Sequence, residues 1–283
     1  MSQVTQSETA PPPGGPGPEP GAPREPDDRN LLAGVRIAAA IVVVGALALG
    51  TLLVVSSFFK RQHTETKTFT GTVSTVRVTT DVGDVRVRTV EAGEPIRTSA
   101  RITKAFREPR WSASLAAGTL QVDGECDGDG VFFDCSVDLT VSVPAGVPVR
   151  IESNTGDVTV TGAFTDVDAS TSTGDVLVQG AAGPVRIETN TGDVRSLSTA
   201  GRLVEAETDT GDVRLLFDSP PEAVTARTNT GDVTIRVPDD GAAYDVDTDT
   251  STGDTTVDVV NVPDATRKIT AQTDTGDVRV TYP

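Results

Sequence analysis

One corner is spelled again and again along this chain: Thr-Gly-Asp, flanked on both sides by short runs in which apolar and polar residues alternate. "NTGDV" stands at Asn154 to Val158, at Asn190 to Val194 and at Asn229 to Val233, with close variants between them. From Val149 the sequence divides into seven units, from "VRIESNTGDVTVTGAFTD" to "ITAQTDTGDVRVTYP". Their glycines, Gly156, Gly174, Gly192, Gly211, Gly231, Gly253 and Gly276, lie 18, 18, 19, 20, 22 and 23 residues apart. A period near twenty is the mark of a solenoid.

Within a unit the alternation is two-fold. Val149, Ile151, Ser153, Val158 and Val160 share one side, while Arg150, Glu152 and Thr159 point oppositely, which is strand periodicity. Thr-Gly-Asp separates two runs of about five residues, and a second break such as "GAAGP" or "SPPEA" closes the unit, so each repeat is predicted to be one coil of a parallel β-helix. Stacking sets equivalent side chains about 4.8 Å apart in ladders. Val149, Val167, Val185, Val204, Val224, Val246 and Ile269 would form one interior ladder, and Ile151, Ala169, Ile187, Ala206, Ala226, Thr248 and Ala271 a second. Ser153, Thr171, Thr189, Thr208, Thr228, Thr250 and Thr273 would form a half-buried third, hydrogen-bonded to backbone or to one another. Aromatic residues are only 4% of the chain, so the core must be thin and aliphatic.

"VRVTTDVGDVRV" at Val76 to Val87 repeats the pattern 73 residues before Gly156, and the stretch between looks inserted. Its strand-like "IRTSARITKAF" and "CSVDLTVSVP" are expected to cover the first coils and blunt their open edge, with Trp111 as packing for this cap. At the other end "VRVTYP" leaves a strand edge that Arg279 and Pro283 would blunt, or on which a second molecule would stack end to end.

Residues 1–30, rich in Pro, Gly and acids, read as a disordered tail. Ile37 to Phe59 is uncharged for 23 residues, enough at about 1.5 Å per residue to cross a bilayer core, so residues 31–60 are predicted to hold a transmembrane helix. Residues 61–72 read as a juxtamembrane linker, 73–148 as the first coil plus a cap of inserted strands, and 149–283 as the repeat solenoid. The expected fold is thus all-β, a single-stranded parallel β-helix of about seven to eight coils behind one membrane anchor. Arginines before the span and lysines after it leave the positive-inside rule tied. The N-terminus is placed in the cytoplasm because long C-terminal domains translocate regardless of charge and both cysteines follow the span.

The net charge of −17 excludes a general attraction to nucleic acid. From Val149 onward, 24 acidic residues stand against 10 basic ones, a net of −14. Asp157, Asp175, Asp193, Asp212, Asp232, Asp254 and Asp277 should stand in one row, where neighbours repel by about 0.9 kcal/mol in bulk water. Hydration, backbone hydrogen bonds, the nearby Arg150, Arg186, Arg195 and Arg214, or bound calcium could offset this. One Asp per coil is sparse for an ion that takes six to eight oxygens.

Cys126 and Cys135 bracket "DGDGVFFD", and a disulfide between them would staple a short loop for roughly 3 kcal/mol. The sole histidine, His63, lies far from the array, so no Ser-His or Cys-His pairing can be built there, and no catalysis is expected. Paired carboxylates of the glycosidase type are the weaker alternative.

The "TGDV" corners, the "V-x-A-x-T" strands, the single span and the strand ending "VSVPAGVPVRIES" together resemble the bacterial "putative adhesin" family of β-strand-repeat domains, also grouped as toastrack domains. The resemblance implies a membrane-anchored, surface-exposed adhesion or scaffold module, with cell-envelope polymers or proteins as partners. Relatives that resemble envelope-stress regulators imply the alternative, a sensor coupled to a membrane or cytoplasmic partner. The family brings no catalytic residues.

Overall fold

The chain divides into two units, Met1–Val55 and Ser56–Pro283. A computed structural model describes Val42 and residues 61–91, 93–104, 109–126 and 135–283. The N-terminal tail and, Val42 apart, the apolar run from Ile37 to Phe59 lie outside these residues. Among the described residues no helix is long and apolar enough to cross a membrane.

The described strands before the array are β1 (Arg61–Phe69), β2 (Thr75–Val82), β3 (Val85–Val90), β4 (Ile96–Lys104), β5 (Arg110–Ala116), β6 (Thr119–Glu125) and β7 (Cys135–Pro144). Each repeat then adds a strand pair: β8 (Pro148–Thr155) with β9 (Val158–Thr161), β10 (Asp166–Thr173) with β11 (Val176–Gln179), and β12 (Val185–Thr191) with β13 (Val194–Thr199). There follow β14 (Leu203–Thr210) with β15 (Val213–Phe217), β16 (Ala223–Thr230) with β17 (Val233–Arg236), β18 (Tyr244–Thr252) with β19 (Thr255–Asp258), and β20 (Arg267–Thr275) with β21 (Val278–Thr281). The strand before each corner joins a ten-stranded sheet and the strand after it an eleven-stranded sheet. The two runs are unequal, for example eight residues in β10 and four in β11, because a glycine such as Gly162 or Gly180 at positive φ cuts the second short.

The ladders are in register. Val167 pairs with Val149 and Val185, and Ala169 with Ile151 and Ile187, all in parallel. These side chains are buried, as are Val158, Val176, Val194, Val213 and Val233 behind the corners. Phe164, Ala181, Phe217 and Val237 are buried near the ends of the second runs.

The order of the last coils departs from the expected sequence. Ile269 of β20 pairs with Val224 of β16, and Val246 of β18 pairs with the far side of Ile269. The seventh unit therefore sits inside and the sixth forms the end. Side-chain chemistry accounts for the exchange. The sixth unit offers Thr248 and Thr255 where the seventh has Ala271 and Val278, so the more polar coil takes the position with one wet face. The connections 237–243 and 259–266 must each cross the thickness of a strand, which accounts for the two longest spacings, 22 and 23.

The beginning shows the same device. β2 and β3 stack on β8 and β9, but β6 and β7 lie parallel on their outer side, so these two strands make a further coil rather than only a cover. Antiparallel strands finish this end, β5 on β6, β4 on β7 and β1 on β4. The stretch expected as a linker at 61–72 thus contains strand β1. In "RQHTETKTF" every second residue is polar as well, so the pattern carries no apolar signal for a strand.

Candidate functional site

The acidic row exists, and its construction says what it does. At each corner the glycine has positive φ, +143° at Gly174, where a Cβ would stand 2.1 Å from the carbonyl oxygen of Gly156. No other residue can take this corner while the coils stack so closely. The next residue, Asp175, donates its backbone N–H to Oδ1 of Asp157 at 2.9 Å, and Asp193 donates to Oδ1 of Asp175 at 2.8 Å. The chain of bonds runs on through Asp212 to Asp193 at 2.9 Å, Asp232 to Asp212 at 3.0 Å, Asp277 to Asp232 at 2.8 Å and Asp254 to Asp277 at 3.0 Å. It extends before the array, where Asp157 donates to Asp84 and Asp84 to Asp138, both at 3.2 Å.

Arginines neutralise much of the row from the short-strand sheet. Arg195 meets Asp193 at 2.5 Å and Asp175 at 3.6 Å, Arg214 meets Asp212 at 2.9 Å, and Arg279 meets Asp277 at 2.5 Å and Asp232 at 3.7 Å. The amide of Asp254, with Arg279 also contributing, holds the Asp277 carboxyl below its ordinary value. Arg150 and Arg186, expected near the row, lie on the other sheet. Arg150 pairs with Glu152 and Asp168, and Arg186 with Glu188 and Glu205. Among the described residues no three His, Cys, Asp or Glu side chains gather as a metal site.

The third ladder completes the corner. Hydroxyls of Thr171, Thr189, Thr208, Thr228, Thr273 and Thr250 donate to the carbonyls of Gly156, Gly174, Gly192, Gly211, Gly231 and Gly276, at 3.0 to 3.3 Å. Ser153, the one serine in this column, has a buried hydroxyl without a partner. Cys126 and Cys135 are joined by a disulfide. It bridges β6 and β7 at the corner of the outer coil, where Val137 and Asp138 stand in for Gly-Asp.

A cleft of about 570 Å³ opens at the β1 end, lined in part by His63, Glu65, Lys67, Trp111 and Asp123. Trp111 packs against the core and donates its indole N–H to Glu65 at 2.7 Å, and the Lys67 ammonium sits 4.5 Å from the centre of its ring. That indole bond is the main cause holding the Glu65 carboxyl below its usual value. Charges pointing inward on an edge strand deter strand addition. Sequence reading missed Glu65 and Lys67; the alternation of charged residues at His63, Glu65 and Lys67 was the available signal.

A single family model, the Toastrack DUF4097 domain, matches residues 70–282, a span that takes in β2 to β21 with their stacked corners. The chain belongs to the Toastrack family. No protein of curated function matches this Toastrack chain. Among solved structures, "a putative adhesin" from Bacteroides fragilis is 13% identical with a TM-score of 0.46, covering 79% of this chain and 97% of its own. "A putative cell adhesion protein" from Clostridium sporogenes is 9% identical with a TM-score of 0.40, covering 79% and 100%. A "putative lipid binding protein" from Parabacteroides distasonis is 9% identical with a TM-score of 0.32, covering 77% and 96%.

Proposed function

We propose that this chain is a membrane-anchored, extracytoplasmic β-solenoid that serves as a non-catalytic adhesion or scaffold module at the cell envelope. One observation carries the reading: the Gly and Asp of each repeat corner, and the ladder threonines from Thr171 onward, are engaged with the neighbouring coil, so the motif builds a frame. Recognition is then left to the outward faces and ends, as in other solenoids. On the long-strand face, charges run in columns across coils, with Arg186 between Glu188 and Glu205 and with Arg227 on Glu207. The uncharged run at 37–59 supports the anchor, and the disulfide supports an oxidising compartment.

The test is retention of cells carrying the full-length chain on isolated envelope material. Substituting Glu188, Glu205 and Glu207 by Gln should reduce retention while surface abundance and thermal melting stay near those of the parent. Retention unchanged by these substitutions refutes the outward face as the adhesive surface. Deletion of residues 1–30 should leave retention intact; if it instead abolishes an envelope-stress response with retention unchanged, the sensor reading replaces this one. Labelling of a Ser7→Cys variant by an impermeant reagent on intact cells would overturn the assigned orientation.

A further inference from the structure

The two ends of the solenoid are finished differently. At the β1 end, antiparallel strands close both sheets, and the exposed Glu65 and Lys67 of edge strand β1 set charge against Trp111. At the other end the outermost strands, β18 and β19, are parallel members of their sheets, each with a neighbouring strand on one side only. Their interior positions are the uncharged Val246, Thr248, Thr250, Thr255 and Val257.

The open edge of β18 can be read from the bonds at its start. The N–H of Tyr244 donates to Val260 and its carbonyl accepts from Val262, so both backbone groups face away from β20. The N–H of Val246 likewise donates to the Asn261 side chain. Backbone direction alternates along a strand, so the groups of Thr248 and Thr250 face outward too. Residues 260–262 cover only the first part of this edge. Beside it Val257, Val260 and Val262 are 37, 46 and 44% exposed.

Charge says what would complete it. Inside the array, the acids in two outward columns of this sheet meet an arginine on their own or an adjacent strand: Asp168 meets Arg150, Glu205 meets Arg186, and Glu207 meets Arg227. Asp247 and Asp249 of β18 occupy the same two columns, but their neighbours on β20 are Thr270 and Gln272. A strand added outside β18 with Lys or Arg at alternate positions would extend both columns. A second copy placed head to head would oppose Asp247 to Asp249, which is unfavourable.

We propose that the open edge of β18 is a docking site for an extended segment of another polypeptide, with basic residues at alternate positions and small apolar or Thr side chains between them. The site rests on the scaffold reading for its biological sense, but its chemistry is measurable apart from envelope retention.

The probe is a fluorescent peptide, acetyl-Thr-Val-Arg-Val-Arg-Thr-amide, titrated against the full-length chain in detergent. Binding should weaken as salt rises. A Glu-for-Arg peptide should bind about tenfold or more weakly, and so should an Arg peptide N-methylated at alternate amides. D247N/D249N should remove most of the preference for Arg over Glu. Thr248→Pro, which removes an outward N–H on an edge strand where proline is tolerated, should abolish binding with little change in melting. Hydrogen exchange should show new protection at Thr248 and Thr250. Equal binding of the N-methylated peptide, or binding without that protection, overturns the proposal. So do dimers formed without peptide and dissolved by Thr248→Pro, which would assign the edge to a second copy. Failure of all peptide binding while cells still adhere sinks this site and leaves the scaffold reading standing.

Discussion

The amide of Asp277 donates to the carboxylate of Asp232, 2.8 Å away and 45 residues earlier, while Asp254, the nearer repeat in sequence, lies on the other side. That one bond fixes the order of the last three coils. A cysteine pair tests it. Arg227→Cys with Gln272→Cys, which are register partners, should oxidise readily, whereas Arg227→Cys with Asp249→Cys should remain reduced. Non-reducing mass analysis of each variant gives the answer.

The corner glycines are predicted to be far less replaceable than an ordinary turn glycine. Gly174→Ala sets a Cβ against the Gly156 carbonyl and should cost roughly 3 kcal/mol or more in urea unfolding. Gly241 also has positive φ but has nothing within 4 Å of its added Cβ, so Gly241→Ala should cost only about 1 kcal/mol.

Two positions of one ladder should respond oppositely. Thr208→Val deprives the Gly192 carbonyl of its hydroxyl and should lose about 1 kcal/mol. Ser153→Ala removes a buried hydroxyl that has no partner and should be neutral or mildly stabilising, as calorimetric melting will show.

The alternation and the period made the coil, the ladders and the acidic row legible before any coordinates. Other features were not. The exchange of the last two units was invisible because both present the same corner; the clue lay in Thr248 and Thr255, interior positions that are polar in one unit only. Strand β1 was hidden because both of its faces are polar. The partners of the arginines were misjudged because Arg150 stands on the strand before its corner and Arg195 on the strand after its corner, which puts them on opposite sheets.

The Asp277 carboxyl titrates below its ordinary value in the folded chain because it accepts the Asp254 amide and faces Arg279. Its contribution to stability is therefore present above the unfolded value, near 4, and is lost as the pH falls through the lower folded value. Asp277→Asn should flatten the acid limb of a stability-against-pH curve. Because Oδ1 along the row already accepts backbone N–H groups, millimolar calcium is expected to give no binding heat and no change in melting.

Reduction of the Cys126–Cys135 bond should lower stability by roughly 2 to 3 kcal/mol. Exposure should begin at β6 and β7, the outer parallel coil that it staples. Hydrogen exchange with and without reductant would map it.

Because residues 267–281 are gripped between two other coils, the array is sewn with a backstitch at that end. Freeing this stretch means parting two ladders together, so a protease or a pulling force gains no loose thread from which to unravel the rest.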